Sequence, residues 1–373
     1  MLPNLPPSTL PLHGIVVLDF SHVIAGPFST YYLATLGARV IKVENPHHGD
    51  SLRRNPHGFE AFNHGKEIVT LDLQQEADRA HAWQLFDGAD VVVDNMRPGV
   101  LERFGFGEPQ LRTRKPQLIH CTISGYGRAS TWANRPAYDH VIQAASGMSM
   151  MAGSEGDDPI KVGFPVVDSA TGILSACGIL AAIRRRDLTG EGESLDVSML
   201  GAALQLMYPQ TVDVMATGKS PTRVGNVGYS GSPGADTFVC RDGRIALGAN
   251  TPQQMYRLGS VLNVRAQVET LMGPQTRGFA TASRPVELRA VLQEAIAPRS
   301  AAELETLLNA EGVPAARVRD LGESVAEALA CGVIEAWTLP GAAPVRVPGL
   351  GFRSNGLYGG RATPRDRDLQ QQL

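Results

Sequence analysis

Short apolar segments alternate with helical patterns through the first third of the chain, and this alternation constrains the fold more than any other feature. Residues 14–20 are a continuous apolar strand, residues 28–36 are a helical pattern that ends at Gly37, and residues 38–44 are a second strand. This order predicts a βαβ unit with parallel pairing. Further apolar segments at residues 68–72, 89–94 and 117–123 extend the pattern. The sequence therefore predicts an α/β fold with a doubly wound parallel sheet.

Folds of this class bind ligands beyond the carboxyl ends of their strands. The turn after the first strand, residues 21–27, has the sequence SHVIAGP and lacks the pattern G-x-G-x-x-G, which brings a backbone close to a dinucleotide. A nicotinamide or flavin cofactor is therefore disfavoured, and with it a dehydrogenase.

The composition indicates an ordinary globular protein. With 373 residues, of which 43% are hydrophobic, the chain is long enough for two domains. A formal net charge of −3 gives no broad basic field, so we expect neither nucleic acid nor an anionic membrane surface as a partner. Any anionic ligand must be bound by local lysine and arginine side chains.

The cysteines predict a reducing compartment. Cys121, Cys177, Cys240 and Cys331 are far apart and lack C-x-x-C spacing. This distribution predicts reduced thiols in a cytoplasmic protein, with no disulfide framework and no metal site. The N-terminal residues have no basic region followed by an apolar core, and we expect no signal peptide and no membrane span.

The composition changes after about residue 200. Residues 217–236 are rich in Gly, Ser and Pro, and residues 236–248 predict a hairpin that turns at residues 241–243. Helical patterns follow at residues 253–262, 285–296, 301–311 and 322–330. We therefore predict a large domain at residues 1–200 that residues 326–373 complete, a linker at residues 201–225, and a smaller α+β domain at residues 226–325.

Asp168 lies between an extended segment, residues 162–167, and a long apolar periodic stretch, residues 169–186. This position predicts that its carboxylate is the N-cap of a helix and accepts the N–H groups of Ala170 and Thr171. The helix dipole would then keep its pKa at or below the ordinary value of about 3.9. Such a group is a poor proton carrier at neutral pH but a fully ionised nucleophile. From position alone, a purely structural cap is the more common role.

Seven segments resemble the class III CoA-transferases, the family that includes formyl-CoA and carnitine CoA-transferases. They occur in the order and spacing of that family, at residues 21–27, 36–44, 62–66, 94–99, 124–127, 168–172 and 189–193. The resemblance covers nearly the whole chain. It implies a homodimer of two interlocked chains, each with a large Rossmann-like domain and a small domain.

The resemblance also implies an activity. In this family the aspartate at the position of Asp168 attacks the thioester of a donor acyl-CoA and forms a mixed anhydride. An aspartyl-CoA thioester follows, and it transfers CoA to a free carboxylic acid. The implied substrates are an acyl-CoA and a small carboxylic acid, with succinyl-CoA and dicarboxylic acids as the family-level expectation. No permanently bound cofactor is implied.

The same resemblance assigns a CoA site near the first βα turn. Lys66 and Arg103 match CoA-contacting positions, whereas Arg97 is a candidate because of its place in the chain. Ile24 stands where formyl-CoA transferase has glutamine, which argues against formyl or oxalyl transfer. The full expected set is Val23, Ile24, Ala25, Lys66, Asn95, Arg97 and Arg103.

A glycine loop of the family matches Gly228, Tyr229, Ser230 and Gly231. The resemblance implies that this loop closes over the active site, with its glycines letting backbone N–H groups approach the reacting carbonyl. Tyr229 and Ser230 would then influence the choice of acceptor. From the pattern alone, a flexible loop that leads into a hairpin is the more common reading.

Tyr138 and Asp139 separate this chain from the α-methylacyl-CoA racemases, which share the fold. The racemases have a His-Asp pair there, and a tyrosine with its ordinary pKa of about 10 cannot replace a histidine base at neutral pH. They also carry a glutamate in the stretch that matches residues 248–252, where this chain has none. The transferase is favoured, with Tyr138 and Asp139 expected in its active site. A racemase and a CoA-binding protein without turnover are the alternatives.

Overall fold

The computed structural model describes residues 10–275, 278–339 and 345–352. The chain forms two compact units. The first comprises the chain up to Met151, residues 159–221 and the chain from Gly332 onwards, and the second comprises residues 152–158 and 222–331. Residues 353–373, which the sequence places in the large domain, lie outside the described residues.

A parallel sheet of six strands forms the centre of the first unit, in the order β3-β2-β1-β4-β5-β6. All its pairings are parallel, as the alternation of strands and helices predicts. The predicted α/β class is therefore confirmed. The strands are β1 (Val16–Asp19), β2 (Arg39–Glu44), β3 (Glu67–Thr70), β4 (Val91–Asp94), β5 (Ile119–Ser124) and β6 (Ser194–Ser198).

Helices cover both faces of this sheet. Alternate strand residues point to opposite faces, so that Val17 packs in one apolar cluster and Leu18 packs in the other. Helices α1 and α7 contribute to the first cluster, and α3 and α5 to the second. The helices of this unit are α1 (Ala25–Thr35), α2 (Pro56–Asn63), α3 (Glu76–Gly88), α4 (Val100–Arg103), α5 (Glu108–Arg114), α6 (Asp139–Ala145), α7 (Val166–Thr189), α8 (Met199–Leu206) and α9 (Tyr208–Thr217).

The stretch expected to be a linker, residues 201–225, is largely helical. Helix α8 begins where the Ser198 side chain accepts the N–H group of Gly201, and it buries Met199, Ala202 and Ala203. Helix α9 follows after Met207 and has no buried residue. The sequence did not indicate these helices because the stretch has almost no charged residues to contrast with its apolar ones.

Helix α7 has 24 residues, and an 18-residue window within it has a mean hydropathy of 1.8, so its length and composition alone are sufficient for a membrane span. In the structure α7 packs against α1, α8 and β5, and it buries Ala176 and Ile179. Core helices commonly meet the same criterion, and one such helix is weak evidence for a membrane span.

The second unit contains an antiparallel sheet of three strands, β7 (Thr237–Cys240), β8 (Gly243–Leu247) and β9 (Ala315–Arg317). The first two strands are the hairpin that the sequence predicts. The predicted helices also form, as α10 (Pro252–Val261), α12 (Pro285–Ile296), α13 (Ala301–Ala310) and α14 (Leu321–Ala330), with α11 (Arg265–Met272) in addition. In the first unit, β10 (Ala336–Leu339) and β11 (Val345–Pro348) form an antiparallel pair.

Gly172 allows α7 to approach α1 closely. A Cβ atom at Gly172 would lie 2.8 Å from the carbonyl oxygen of Ala25 and 3.0 Å from the Cβ of Phe28. At Gly178, on the same helix, the nearest atom to an added Cβ would be the Cδ1 of Leu195 at 3.6 Å, an ordinary contact.

These two glycines give a matched test of the packing of α1 on α7. Replacing glycine by alanine inside a helix normally stabilises a protein by about 0.5–1 kcal/mol. We expect Gly178→Ala to raise the melting temperature and Gly172→Ala to lower it, because the new methyl group must displace backbone. Thermal unfolding followed by circular dichroism measures both. An equal rise for the two variants would contradict the close approach.

Candidate active site

A cavity of about 890 Å³ opens at the carboxyl ends of the parallel strands in the first unit. Its volume lies within the range of small-molecule sites, about 300–1,000 Å³. The loops that follow β1 to β5 contribute to its walls, as expected for an open α/β sheet. The residues from these loops include residues 22–25, 45, 48–49, 51, 71–74, 95–98 and 124–125.

Asp168 lines this cavity, but it is not the N-cap of its helix. Helix α7 begins at Val166, its N-cap is Pro165, and Asp168 is the third residue of the first turn. The N–H groups of Ala170 and Thr171 therefore belong to the helix and do not bind the Asp168 carboxylate. The predicted capping role is wrong because the helix begins earlier than the apolar periodicity indicates.

A different carboxylate, that of Asp139, caps α7. Its Oδ2 atom accepts the N–H group of Val167 at 2.8 Å and that of Asp168 at 3.0 Å. Its Oδ1 atom accepts the side-chain amide of Gln143 at 2.6 Å. Asp139 thus satisfies N–H groups that every helix start leaves free, and it fixes the backbone from which Asp168 projects.

The environment raises the pKa of Asp168 to about 6, through burial first and then through the nearby charge of Asp139. The sequence-based expectation of a pKa at or below 3.9 is therefore wrong, since it assumed a cap stabilised by backbone N–H groups. Burial disfavours the ionised form and makes the carboxylate more basic. Such a group is still largely ionised at neutral pH and is a stronger nucleophile than a fully solvated aspartate.

The turn after β1 places His22, Val23, Ile24 and Ala25 in the cavity wall. Asn95 also lines the cavity, and it accepts the N–H group of His22 at 2.9 Å and donates to the His22 carbonyl at 2.7 Å. Burial, together with the positive charge of Lys42, lowers the pKa of His22. Its imidazole is therefore neutral at pH 7.

Lys66, expected to contact CoA, is buried beneath the site. Its ammonium group lies 3.0 Å from Asp19 Oδ2, and it also donates to the Pro27 carbonyl at 3.0 Å and to the Asn63 side chain at 2.9 Å. Lysine has only three donors, so none remains for a phosphate. The predicted CoA contact through this ammonium is wrong, because the position is an internal ion pair.

This ion pair keeps both partners charged. Burial lowers the pKa of Lys66 to about 8, which still leaves it protonated at neutral pH. Burial alone would raise the pKa of Asp19, but the ammonium groups of Lys66 and Lys42 hold it well below its ordinary value. Asp19 also accepts the hydroxyl groups of Ser21 and Thr30. The ion pair therefore ties the end of β1 to the start of α1.

The cationic residues of the cavity wall match those expected only in part. Arg97 lines it, whereas Arg103 is exposed at the end of α4 and is not part of the wall. Arg135, which the sequence reading missed, also lines the cavity, and its guanidinium lies 4.1 Å from the ring centroid of Trp132. Its position in the sequence, three residues before Tyr138, was the feature that could have predicted its place in the site.

Further wall residues follow directly after strands. His48 lies beyond the end of β2, and Asp72 and Gln74 lie beyond the end of β3. The rule that α/β sheets bind ligands at the carboxyl ends of their strands would have found them. The resemblance to the family indicated instead residues inside the matching segments.

Tyr138 lies at the N-cap of α6 and lines the cavity with 70% of its surface exposed. Within the described residues its hydroxyl group makes no hydrogen bond, and its ring stacks on His140 with centroids 6.3 Å apart. The hydroxyl is thus free to bind a ligand in the cavity. No group of three or more His, Cys, Asp or Glu side chains suited to a metal ion occurs in the described part of the chain.

The glycine loop, residues 228–231, belongs to the second unit. The N–H group of Gly228 donates to the Ala235 carbonyl at 2.7 Å, and that of Gly231 donates to the Gly228 carbonyl at 2.9 Å. These two N–H groups therefore donate to carbonyl groups of residues 228 and 235 in this conformation. Ser230 donates its hydroxyl to Asn250, and Tyr229 is 74% exposed. The role of the loop in catalysis stays a prediction.

Comparison with known proteins gives consistent results. The model of a family described as CoA-transferase family III matches residues 12–365. The acetyl-CoA:oxalate CoA-transferase of Acetobacter aceti is 34% identical over 323 residues, which cover 84% of this chain and 82% of that protein. The succinate–glutarate CoA-transferase of Agrobacterium fabrum is 30% identical over 340 residues, which cover 87% of this chain and 84% of that protein.

The fold is also similar to solved structures. The crystal structure of Rv3272 from Mycobacterium tuberculosis superposes with a TM-score of 0.81 at 30% sequence identity. The match covers 95% of this chain and 94% of that one. Rv3272 is described as a probable fatty acyl-CoA transferase.

The raised pKa of Asp168 predicts how stability depends on pH. The ordinary pKa of Asp168 is 3.8 and its pKa in the folded chain is about 6. Between these two pH values the folded chain holds a proton that the unfolded chain releases, so stability falls as the pH rises. Asp168→Asn removes this dependence. We expect the variant to gain in melting temperature relative to the wild type between pH 4 and pH 7, as measured by differential scanning fluorimetry.

Glu76→Gln is the matched control, because Glu76 is an exposed carboxylate in the first turn of α3. The dipole of that helix favours the negative charge, so its removal should bring no gain as the pH rises. A constant difference between Asp168→Asn and the wild type over this pH range would show that Asp168 has an ordinary pKa.

Proposed function

The chain belongs to CoA-transferase family III, and from that membership we propose that it moves CoA from an acyl-CoA to a free carboxylic acid through covalent intermediates on Asp168. One observation carries this proposal: the Asp168 carboxylate faces a cavity at the strand ends and is held there by Asp139. The family and its general reaction agree with the sequence-based resemblance. The covalent route and the substrates are our proposals.

The proposed reaction exchanges acyl groups without water. The Asp168 carboxylate attacks the thioester carbonyl of the donor, which releases CoA thiolate and leaves a mixed anhydride. The thiolate attacks the aspartyl carbonyl of this anhydride, and the donor acid departs as its carboxylate. An acceptor carboxylate then attacks the aspartyl-CoA thioester. The thiolate released in that step attacks the acceptor acyl group, and Asp168 is restored as a carboxylate.

The surroundings of Asp168 favour this role. Burial and the neighbouring carboxylate of Asp139 make it a basic, poorly solvated nucleophile. Apolar residues Ile24, Ala137 and Met199 contribute to the same cavity wall and restrict water, which would hydrolyse the activated acyl groups. The Tyr138 hydroxyl is available to bind an acyl oxygen. We propose that the reaction needs no bound cofactor, because CoA itself carries the activated group.

Binding of CoA requires cations for its phosphates. Arg97 and Arg135 are the exposed arginines of the cavity wall, and within the described residues neither forms an ion pair. We propose that they bind the phosphates of CoA, in place of Lys66. The turn after β1 then faces the rest of the molecule through residues 22–25. Guanidinium groups suit this task because they bind phosphate in a bidentate manner.

We propose a small dicarboxylic acid as the acceptor. Two similar proteins are named for dicarboxylates, one for oxalate and the other for succinate and glutarate.

We propose that the enzyme acts in the cytoplasm. Its four cysteines, Cys121, Cys177, Cys240 and Cys331, are unpaired, which is consistent with that reducing compartment. We propose neither nucleic acid nor a membrane as a partner.

We further propose that the enzyme is a homodimer. Helix α9 buries none of its residues in the described part of the chain, and Tyr208, Val212 and Met215 are exposed on it. Exposed apolar side chains that cluster in this way mark interaction surfaces. Sedimentation equilibrium should therefore give twice the chain mass of 39.8 kDa. A mass of one chain at micromolar concentration would contradict the dimer.

Asp168→Ala should abolish transfer while leaving the affinity for CoA nearly unchanged, because the variant loses the nucleophile but none of the CoA-binding groups. Hydroxylamine added during turnover should convert the wild-type Asp168 to a hydroxamate, which mass spectrometry of the peptide detects. Asp168→Ala gives the blank for this adduct. Full transfer activity in Asp168→Ala, or a wild-type peptide that is never modified, would contradict the proposal.

A further inference from the structure

Val23 has a backbone conformation that valine rarely adopts. Its φ is 69°, in the left-handed region, where a β-branched side chain clashes with its own backbone. Within the described residues, Asn263 in the second unit is the other non-glycine residue with a positive φ. Asparagine tolerates this region far better than valine does. Such a conformation persists only where neighbouring groups enforce it, and it concentrates at ligand sites.

The neighbouring groups that enforce it are Asp50 and Asn95. The carboxylate of Asp50 accepts the N–H group of Val23, with Oδ1 at 3.2 Å and Oδ2 at 3.3 Å. Asn95 binds both the N–H group and the carbonyl of the preceding residue, His22. The turn is therefore held from two different loops, one after β2 and one after β4.

Lys42 fixes Asp50 in turn. Its ammonium group lies 3.1 Å from Asp50 Oδ2 and donates to the Ser21 carbonyl at 2.6 Å. The side chains of Lys42 and Asp50 are 0% and 1% exposed. Loss of one partner of such a buried pair would leave an unpaired charge in the interior, so each partner holds the other in place.

Asp50 does not itself face the cavity. Its neighbours Gly49 and Ser51 line the wall, and so do Val23 and Asn95, whereas the Asp50 carboxylate lies behind them. It therefore cannot act by touching a ligand in the cavity. Any effect of Asp50 on binding must pass through the groups that it holds, which are the N–H groups of Val23 and Leu52 and the ammonium group of Lys42.

We propose that Asp50 is a positioning residue, which holds Val23 in the left-handed conformation and so keeps the CoA cavity wall in its binding shape. Without this acceptor, Val23 relaxes to a negative φ, and the peptide planes around it rotate away from the ligand. Free protein would then have to reorganise before it binds, which lowers the affinity. The inference rests on the proposed function, since it takes CoA as the ligand.

The test compares the affinities of the full-length wild type and its variants for free coenzyme A by isothermal titration calorimetry. Asp50→Ala should weaken binding roughly tenfold, a factor that corresponds to about 1.4 kcal/mol. Val23→Gly in the same background should restore most of the loss, because glycine adopts a positive φ without a Cβ clash. With acyl-CoA as substrate, Asp50→Ala should raise KM much more than it lowers kcat.

Asn263→Gly is the matched control, because it releases the left-handed residue that belongs to the second unit. Combined with Asp50→Ala, it should restore nothing. Equal rescue by both glycine substitutions, or unchanged affinity in a folded Asp50→Ala variant, would overturn the positioning role. If the wild type itself binds no CoA, the proposed function fails and this inference fails with it. If the wild type binds CoA and only the variants depart from the expected affinities, the inference alone fails.

Asp50→Asn covers the case in which Asp50→Ala does not fold. It keeps an acceptor oxygen for the Val23 N–H group but loses the charge that pairs with Lys42. We expect it to lose much less CoA affinity than a variant without the acceptor, and Val23→Gly should add little to it. A tenfold loss in Asp50→Asn that Val23→Gly does not restore would overturn the proposal.

Discussion

The hydrogen bonds from the backbone of α7 to the Asp139 carboxylate are the interaction on which the active site depends. They set where α7 begins, and so they fix the direction in which Asp168 projects. The same carboxylate places a negative charge near Asp168, which adds to burial in raising its pKa to about 6. One side chain thus determines both the geometry and the basicity of the proposed nucleophile. If Asp168 itself had been the cap, its carboxylate would have been solvated, more acidic and occupied by backbone N–H groups.

Buried charged groups also hold the turn after β1, which forms part of the cavity wall. Two buried ion pairs, Asp19 with Lys66 and Asp50 with Lys42, lie behind the turn after β1. Asp50, of the second pair, holds Val23 in a conformation that valine would not adopt alone. Removal of one partner of either pair would leave an uncompensated charge in the interior. A preformed wall reduces the reorganisation that CoA binding requires.

Much of the fold follows from the sequence because it depends on local periodicity. Continuous apolar runs predicted the central strands, and turn residues predicted the hairpin of β7 and β8. Helices α8 and α9 did not follow, since an uncharged stretch shows no contrast between faces. The site was predicted less completely. The structure places Asp168 and the turn at residues 22–25 in the cavity wall. Three features could not be predicted because they depend on contacts between distant segments. These are the cap formed by Asp139, the internal ion pair of Lys66 and the place of Arg135 in the wall.

Transfer of oxygen from the acceptor acid to Asp168 tests the central claim most directly. Each catalytic cycle forms an anhydride between the acceptor carboxylate and the aspartyl group, and its breakdown leaves one acceptor oxygen on Asp168. With an acceptor labelled with oxygen-18 in ordinary water, the Asp168 peptide should gain the mass of one heavy oxygen after a single turnover. A peptide that remains unlabelled while labelled acceptor is converted to its CoA thioester would contradict covalent catalysis by this carboxylate.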